Sequence, residues 1–174
     1  MTATLRPALP EDCAALSRLA TDSFVAAFGP LYKPEDLQAF LDEYRSEAAY
    51  RRALANPAKR VQLAEADGRL AAYCLIAFGQ HFAERPEPRP ANPAFVSQLY
   101  CAPGMSGRGL GAALMDWAIA EARAAGADAI QLSVFSENAG AQRFYRRYGF
   151  AHVADIDFWV GQHRDHEFLY ELPL

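Results

Sequence analysis

The chain has 174 residues, which is enough for one domain with a hydrophobic core and too few for two domains of ordinary size. With 52% hydrophobic and 22% charged residues, its composition is typical of a soluble globular domain. A net charge of −4 gives no global attraction to nucleic acid or to an anionic membrane. Neither a signal peptide nor an apolar run of the roughly 18 residues that span a bilayer is evident. We therefore expect a cytoplasmic protein without nucleic-acid or membrane partners.

The cysteines argue against a metal site. Cys13, Cys74 and Cys101 are odd in number, lie among apolar residues and form no CxxC or Cys/His pattern. We expect packed thiols in a reducing compartment and no bound metal.

The first third of the chain predicts one strand and three helices. These are a strand over Thr2–Arg6 ended by Pro7, a helix from Pro10 to the Gly29-Pro30 stop, a helix from Glu35 to about Tyr44, and a helix from Ser46 to Ala55. Strands over Val61–Ala66 and Leu70–Phe78 follow, joined by Asp67-Gly68, which is a strong hairpin signal. Residues 80–93 hold four prolines and predict a loop within the domain.

The second half alternates strands and helices before a final strand pair. Its predicted elements are a strand over Phe95–Cys101, a helix from Leu110 closed by Gly126, a strand through Ile130, Leu132 and Val134, a helix from Asn138 to Gly149, and an antiparallel pair over Val153–Val160 and Glu167–Leu172. The order βααα-ββ-βα-βα-ββ predicts a single α/β (α+β) domain over residues 1–174 with a mixed sheet.

A glycine-rich turn follows the strand that ends at Cys101. In CAPGMSGRGLGAAL, three glycines (Gly107, Gly109 and Gly111) permit a tight turn, and the first amides of the next helix can bind phosphate oxygens. A P-loop is excluded because no Gly-Lys-Ser/Thr is present. A dinucleotide fold is disfavoured because the next strand ends on Val134 and Phe135 rather than an acid, and too little chain remains.

A second motif accompanies the turn. In NAGAQRFYRRYGF, Asn138 and Tyr145 are seven residues apart and therefore share one helix face. With LYCAPGMSGRGLGAALM, this segment resembles the GNAT superfamily of N-acetyltransferases, specifically over residues 95–153. A less specific resemblance, from FVAAFGPLY onward, is to bacterial members related to spermidine/spermine acetyltransferases.

The resemblance implies a mostly antiparallel sheet of six or seven strands, helices on both faces, and a V-shaped splay between the fourth and fifth strands. The pantetheine arm of acetyl-CoA would lie in the splay and pair with the backbone near Leu99 and Cys101. The implied cofactor-binding residues are Leu99, Tyr100, Cys101, Ser106, Gly107, Arg108, Gly109, Leu110, Gly111, Ala112, Asn138 and Tyr145. The sequence departs from the family pattern at Ser106, where Arg or Gln is usual, and at Phe95 or Val96, where many relatives place a glutamate.

The implied reaction is acetyl transfer to a primary amine of a small, polyamine-like or amino-acid-like molecule in a ternary complex. At pH 7 only about 1 alkylamine molecule in 2,500 is neutral, so a base is required. Glu84 is our expected base, although the sequence also offers His81, His163, Asp165 and His166. Tyr145 is the expected acid for the leaving thiolate, and an amide near Leu99–Cys101 would stabilise the oxyanion.

Tyr32 and Phe135, with Tyr100, are the expected lining of the acceptor pocket. Because the usual base is absent, a non-catalytic acyl-CoA sensor stays open as an alternative. Protein N-terminal or lysine acetylation is a further alternative. A homodimer is an expectation from the family alone.

Overall fold

The structure, a computed structural model, describes residues 3–174. Its elements are β1 (Ala3–Pro7), α1 (Cys13–Phe28), α2 (Pro34–Tyr44), α3 (Glu47–Ala55), β2 (Lys59–Ala66), β3 (Arg69–Phe78), β4 (Pro93–Cys101), α4 (Leu110–Ala124), β5 (Ala129–Phe135), α5 (Ala139–Arg147), β6 (Ala151–Val160) and β7 (His163–Pro173). This is the predicted order. Thr2, the first residue of the predicted opening strand, lies outside the described residues.

The strands form one seven-stranded sheet in the order β1-β2-β3-β4-β5-β7-β6. Within the described chain, the β4–β5 pair is parallel and the other neighbours are antiparallel. The expected mixed, mostly antiparallel sheet is confirmed.

Helices cover both faces of this sheet, as expected. Strand β3 shows the two layers, because its buried side chains alternate between two cores. Tyr73 and Leu75 pack under α1 and α3, whereas Cys74 and Ile76 pack under α4.

The predicted splay lies between β4 and β5. The two strands pair from Pro93↔Ala129 to Val96↔Leu132, and beyond this point their pairing ends although both strands continue. A bulge lies at the same place, since Leu75 pairs with Gln98 and Ile76 with Val96, which leaves Ser97 without a β3 partner. A bulge bends its strand and increases the local twist. The far ends of β4 and β5 therefore diverge and leave a slot through the sheet.

Most boundaries differ from the predicted ones by one to three residues. Pro7 is the last residue of β1 rather than its stop, because β1 is an edge strand on which a missing N–H is tolerated. Residues Pro10–Asp12 form a 3-10 turn before α1 instead of its first α-helical turn. In the final hairpin both strands are longer than predicted.

The proline-rich loop packs against the closed end of the β4–β5 pair. Arg85 makes two hydrogen bonds to Glu171 of β7, at 2.8 and 2.9 Å. The Phe82 ring lies 5.0 Å from the Phe95 ring, and Asp128 accepts hydrogen bonds from the amides of Ala91 and Asn92. Since Glu171 faces the start of β5, these contacts hold the loop away from the open slot.

Candidate active site

A cavity of about 770 Å³ occupies the splay and extends to both faces of the sheet. Most of the residues expected at the site line it: Tyr32, Leu99, Tyr100, Cys101, Ser106, Gly107, Gly109, Gly111, Ala112, Phe135, Asn138 and Tyr145. Helices α4 and α5 border one side of the cavity, and α1 with the segment around Tyr32 borders the other. A ligand can therefore enter from two sides.

Three expected site residues lie outside the cavity lining. Leu110 is 1% exposed and packs in the core at the start of α4. Arg108 is exposed on the turn, and Glu84 is exposed in the proline-rich loop. His81 lies in the same loop and is also exposed. In the structure, therefore, neither Glu84 nor His81 contributes to the wall of the cavity.

The glycine-rich turn has the expected geometry at the mouth of the slot. Gly107 and Gly109 adopt φ values of +76° and +81°, a conformation that residues with a side chain rarely adopt. A Cβ at either position would meet no atom within 4 Å, so close packing does not explain the glycines. Gly109 caps α4 without a side-chain acceptor, which leaves the first helix amides available to an anion.

Helix α5 borders the other side of this mouth. Asn138 caps the helix, because its Oδ1 accepts a hydrogen bond from the Ala141 amide at 3.1 Å. The residue thus begins the helix at the position that the sequence predicts. Tyr145 lines the slot two turns later, and burial raises the pKa of its phenol well above the ordinary value. Arg147, which the sequence did not single out, also lines the cavity.

Glu167 is the main functional candidate that sequence reasoning missed. It lies on β7 opposite Phe135, is 9% exposed and lines the cavity. In the described part of the chain, its Oε2 has no hydrogen-bond partner. Burial raises the pKa of its carboxyl to about 7; the Ser133 hydrogen bond opposes this shift, and the charge of Asp165 adds to it. A buried carboxylate that titrates near neutral pH is suited to exchange protons with a substrate.

Asp165 lies two residues before Glu167 on β7, so both side chains are on one face of the strand. It is 5% exposed and lines the cavity. The Tyr32 hydroxyl donates a hydrogen bond to its Oδ2, and His163 Nε2 lies 3.1 Å from its Oδ1. Burial, followed by the bond to Asp165, raises the pKa of Tyr32, so the phenol stays protonated. These two carboxylates give this end of the cavity an acidic character.

His166, the remaining base candidate, is exposed on the opposite face of β7. Its Nε2 lies 3.3 Å from Asp155, and its ring packs on Phe168. Neither His166 nor His163 lines the cavity.

Across residues 3–174, no group of three or more His, Cys, Asp or Glu side chains could hold a metal ion. The described helices include none that is both long and apolar enough to cross a membrane. The cysteines are free thiols, of which Cys13 and Cys74 are buried.

The buried Glu167 makes the stability of the fold depend on pH. Its pKa is about 7 in the folded protein and 4.5 in the ordinary state, so folding takes up a proton between these pH values. Above pH 7 the ionised carboxylate should lower the free energy of unfolding by about 3 kcal/mol. Glu167→Gln should therefore be more stable than the unmodified protein at pH 8, and nearly equal to it at pH 4.5. Thermal unfolding at both pH values measures this difference. Glu137→Gln, at an exposed position, is the control. If Glu167→Gln differed in stability from the unmodified protein by the same amount at both pH values, the raised pKa of Glu167 would be contradicted.

Comparison with known proteins agrees with the fold. A family model described as the Acetyltransferase (GNAT) family matches residues 14–150. An uncharacterized N-acetyltransferase of Mycobacterium tuberculosis is 30% identical over 158 residues, which cover 91% of this chain and 95% of the relative. The aminoalkylphosphonate N-acetyltransferase of Salmonella typhimurium is 32% identical over 132 residues, which cover 75% of this chain and 78% of that relative.

A solved structure shows the same fold with a ligand. The PaiA N-acetyltransferase of Thermoplasma acidophilum, in complex with coenzyme A, superposes with a TM-score of 0.77 and 20% identity over 100% of both chains. The sheet with its splayed strands and the match over residues 14–150 lead to one conclusion: the chain belongs to the GNAT family and is an acyltransferase that uses acetyl-CoA as its acetyl donor.

Proposed function

We propose that this acetyltransferase acts on the primary amine of a small molecule, which attacks acetyl-CoA directly in a ternary complex. The observation that carries the proposal is Glu167, a buried carboxylate that lines the cavity and has one oxygen without a hydrogen-bond partner in the part of the chain that the structure describes. The relative from Salmonella typhimurium is named for a small amine acceptor, which supports a small-molecule substrate here. The acceptor side of the cavity is also lined by aromatic rings, including Phe28, Tyr32 and Phe135.

The cofactor would occupy the α4 and α5 side of the slot. The turn at Ser106–Ala112 and the side chain of Arg147 would hold the pyrophosphate, and the unpaired edge of β4 beyond Val96 would bind the pantetheine amides. These groups fit CoA, because they combine open phosphate-binding amides with a free strand edge. When bound, acetyl-CoA supplies a thioester carbonyl that a neutral amine can attack.

Glu167 would take the proton of the attacking amine. A protonated alkylamine has a pKa near ~10.4, and a carboxylate of pKa about 7 is a stronger base than an ordinary glutamate. Asp165, held by Tyr32 and His163, would attract the ammonium form into the pocket. As the C–N bond forms, the proton passes to Glu167.

Tyr145 would act on the leaving sulfur. Its raised pKa keeps the phenol protonated, so it can donate a hydrogen bond as the C–S bond breaks. Complete proton transfer from such a phenol to a thiolate of pKa ~8.5 is unfavourable. We therefore assign Tyr145 as the hydrogen-bond donor that stabilises the thiolate, which then takes its proton from water or from protonated Glu167.

Replacing Glu167 tests the base. Glu167→Gln should lower kcat/KM for the amine by about 100- to 10,000-fold, the range for loss of general base catalysis. In the unmodified enzyme, kcat/KM should rise through pH 7 as Glu167 loses its proton, and this limb should vanish in the variant. The measurement is thiol release from acetyl-CoA between pH 5.5 and pH 9. Glu84→Gln is the control, and an equal loss in both variants would refute the role of Glu167.

Replacing Tyr145 tests the stabilisation of the thiolate. Tyr145→Phe removes only the hydroxyl, so we expect kcat to fall about 10- to 100-fold while the KM for acetyl-CoA changes little. Tyr148→Phe is a matched control, since Tyr148 does not line the cavity and its hydroxyl contacts only Ala112 O and Asp116 Oδ1 among the described residues. Unchanged kcat in Tyr145→Phe would remove this residue from the mechanism.

Alanine substitutions at two matched glycines distinguish a loss of phosphate binding from an effect of backbone strain. Gly109 and Gly126 lie at opposite ends of α4 with φ values of +81° and +76°, and a Cβ at either one meets no atom within 4 Å. Alanine at each position should cost about 1 kcal/mol of stability. Only Gly109→Ala should also weaken the binding of CoA, which calorimetric titration measures. Equal CoA affinity in the two variants would show that the turn does not bind the pyrophosphate.

A further inference from the structure

Arg45 is a buried cation that the mechanism above does not use. It lies in the short connection between α2 and α3, and its backbone is fixed at both ends. Its amide donates to Leu41 O at 2.9 Å, and its carbonyl accepts a hydrogen bond from Ser17 Oγ at 2.6 Å. The residue is 5% exposed and lines the cavity. The fold thus places this buried cationic residue in the wall of the substrate cavity.

The surroundings of this guanidinium leave its charge incompletely paired. Its central carbon lies 4.9 Å from the Phe40 ring, 5.5 Å from the Phe24 ring and 5.7 Å from the Tyr100 ring. One nitrogen donates to Tyr44 O at 3.2 Å, and the side chain also interacts with the Tyr100 hydroxyl, whereas Nε has no hydrogen-bond partner within residues 3–174. In the same described residues, no carboxylate forms a salt bridge with it. Aromatic faces stabilise a cation only in part, so an anion would be strongly favoured here.

The positive and negative groups of the cavity are connected through contacts of the Phe24 ring. Phe24 has the Arg45 guanidinium on one flank and the Tyr32 ring, 6.0 Å away and nearly parallel, on another. Tyr32 in turn bonds Asp165, which lies beside Glu167 on β7. The lining of this one cavity therefore includes a buried guanidinium and a pair of carboxylates.

We propose that the acceptor is a small zwitterion, in which an anionic group binds Arg45 while the amine to be acetylated faces Asp165 and Glu167. This inference rests on the proposed function and names its substrate class. A carboxylate or a phosphonate would complete the hydrogen bonding of the guanidinium and neutralise its charge. A diamine would place a second cation against Arg45 and is disfavoured, so the amino-acid-like acceptor is preferred over the polyamine-like one.

Matched amines test the proposal on the unmodified enzyme. The panel is β-alanine and 2-aminoethylphosphonate, with propylamine and 1,3-diaminopropane as analogues that lack the anion, and the readout is thiol release from acetyl-CoA. A hydrogen bond between two charged groups strengthens binding by roughly 10- to 100-fold. We therefore expect kcat/KM for at least one anionic amine to exceed kcat/KM for propylamine by this factor. The better of the two anionic amines identifies the anion. Equal or higher kcat/KM for propylamine or the diamine would overturn the proposal.

Substitution of Arg45 then assigns the preference to this side chain. Arg45→Met should fold, because an apolar side chain of similar length fits among aromatic rings, and it should reduce the ratio of kcat/KM for the anionic amine to that for propylamine by 10-fold or more. Arg45→Lys keeps the positive charge but lacks the planar guanidinium, so it should keep part of the preference for the anionic amine. This variant replaces Arg45→Met in the test if Arg45→Met does not fold. The exposed Arg52→Met is the control. An unchanged ratio in both Arg45 variants would show that Arg45 has only a structural role.

Failure of this inference is distinguishable from failure of the proposed function. Turnover of propylamine or the diamine without a preference for the anionic amines contradicts the zwitterion alone. If none of the four amines, nor any other small amine, is acetylated by a protein that binds acetyl-CoA, the small-molecule function is wrong and the zwitterion with it.

Discussion

Strands β4 and β5 stop pairing after Val96 and Leu132, and the position of this break determines the rest of the site. A continuous parallel pair would bury its backbone groups and leave no opening between α4 and α5 on one face and α1 on the other. The bulge at Ser97 bends β4 just where the pairing ends. The cavity, the free strand edge and access from both faces all follow from this local break in an otherwise continuous sheet.

The acceptor side of this opening is built from charges that the fold does not neutralise. Among the described residues 3–174, Glu167 retains a carboxylate oxygen without a partner, and Arg45 retains an unpartnered Nε among aromatic rings. Each of these groups destabilises the folded protein, because burying a polar group without a hydrogen-bond partner costs free energy. By contrast, Asp165 is held by Tyr32 and His163, so its position is defined before a ligand binds. The site thus combines one fixed carboxylate with two groups whose interactions a ligand can complete, at the expense of stability.

Much of the fold could be predicted from local sequence, because the signals are local. The Asp67-Gly68 hairpin, the Ser46 and Asn138 caps and the periodicity of α4 each depend on a few neighbouring residues. The cofactor side of the site could be predicted for the same reason, since the glycine-rich turn and α5 are contiguous motifs. The predicted splay is confirmed, although it follows from the family resemblance and no local pattern indicates it.

Two charged residues of the acceptor side, Glu167 and Arg45, were not predicted, because the acceptor side is brought together from distant parts of the chain. Glu167 alternates with Phe168 along β7, a pattern that equally fits an acid on a solvent-facing strand surface. Its burial in the cavity wall is evident only in the folded chain. Arg45 looks like an ordinary charged residue between two helices, and its burial depends on α1 and on Tyr100. The sequence allows the loop that carries Glu84 to cover the slot, but the Arg85–Glu171 ion pair holds that loop at the closed end of the strands.

The titration of Glu167 tests the proposed catalytic arrangement most directly. Carbon NMR of the protein labelled at its glutamate carboxyl groups, with the Glu167 signal assigned by its absence in Glu167→Gln, gives the pKa of this group without any assumption about the acceptor. We predict a midpoint of about 7 in the free protein. A midpoint between ~4 and ~5 would show a solvated carboxylate that is no better as a base than any surface glutamate, and it would contradict the role of Glu167 as the proton acceptor.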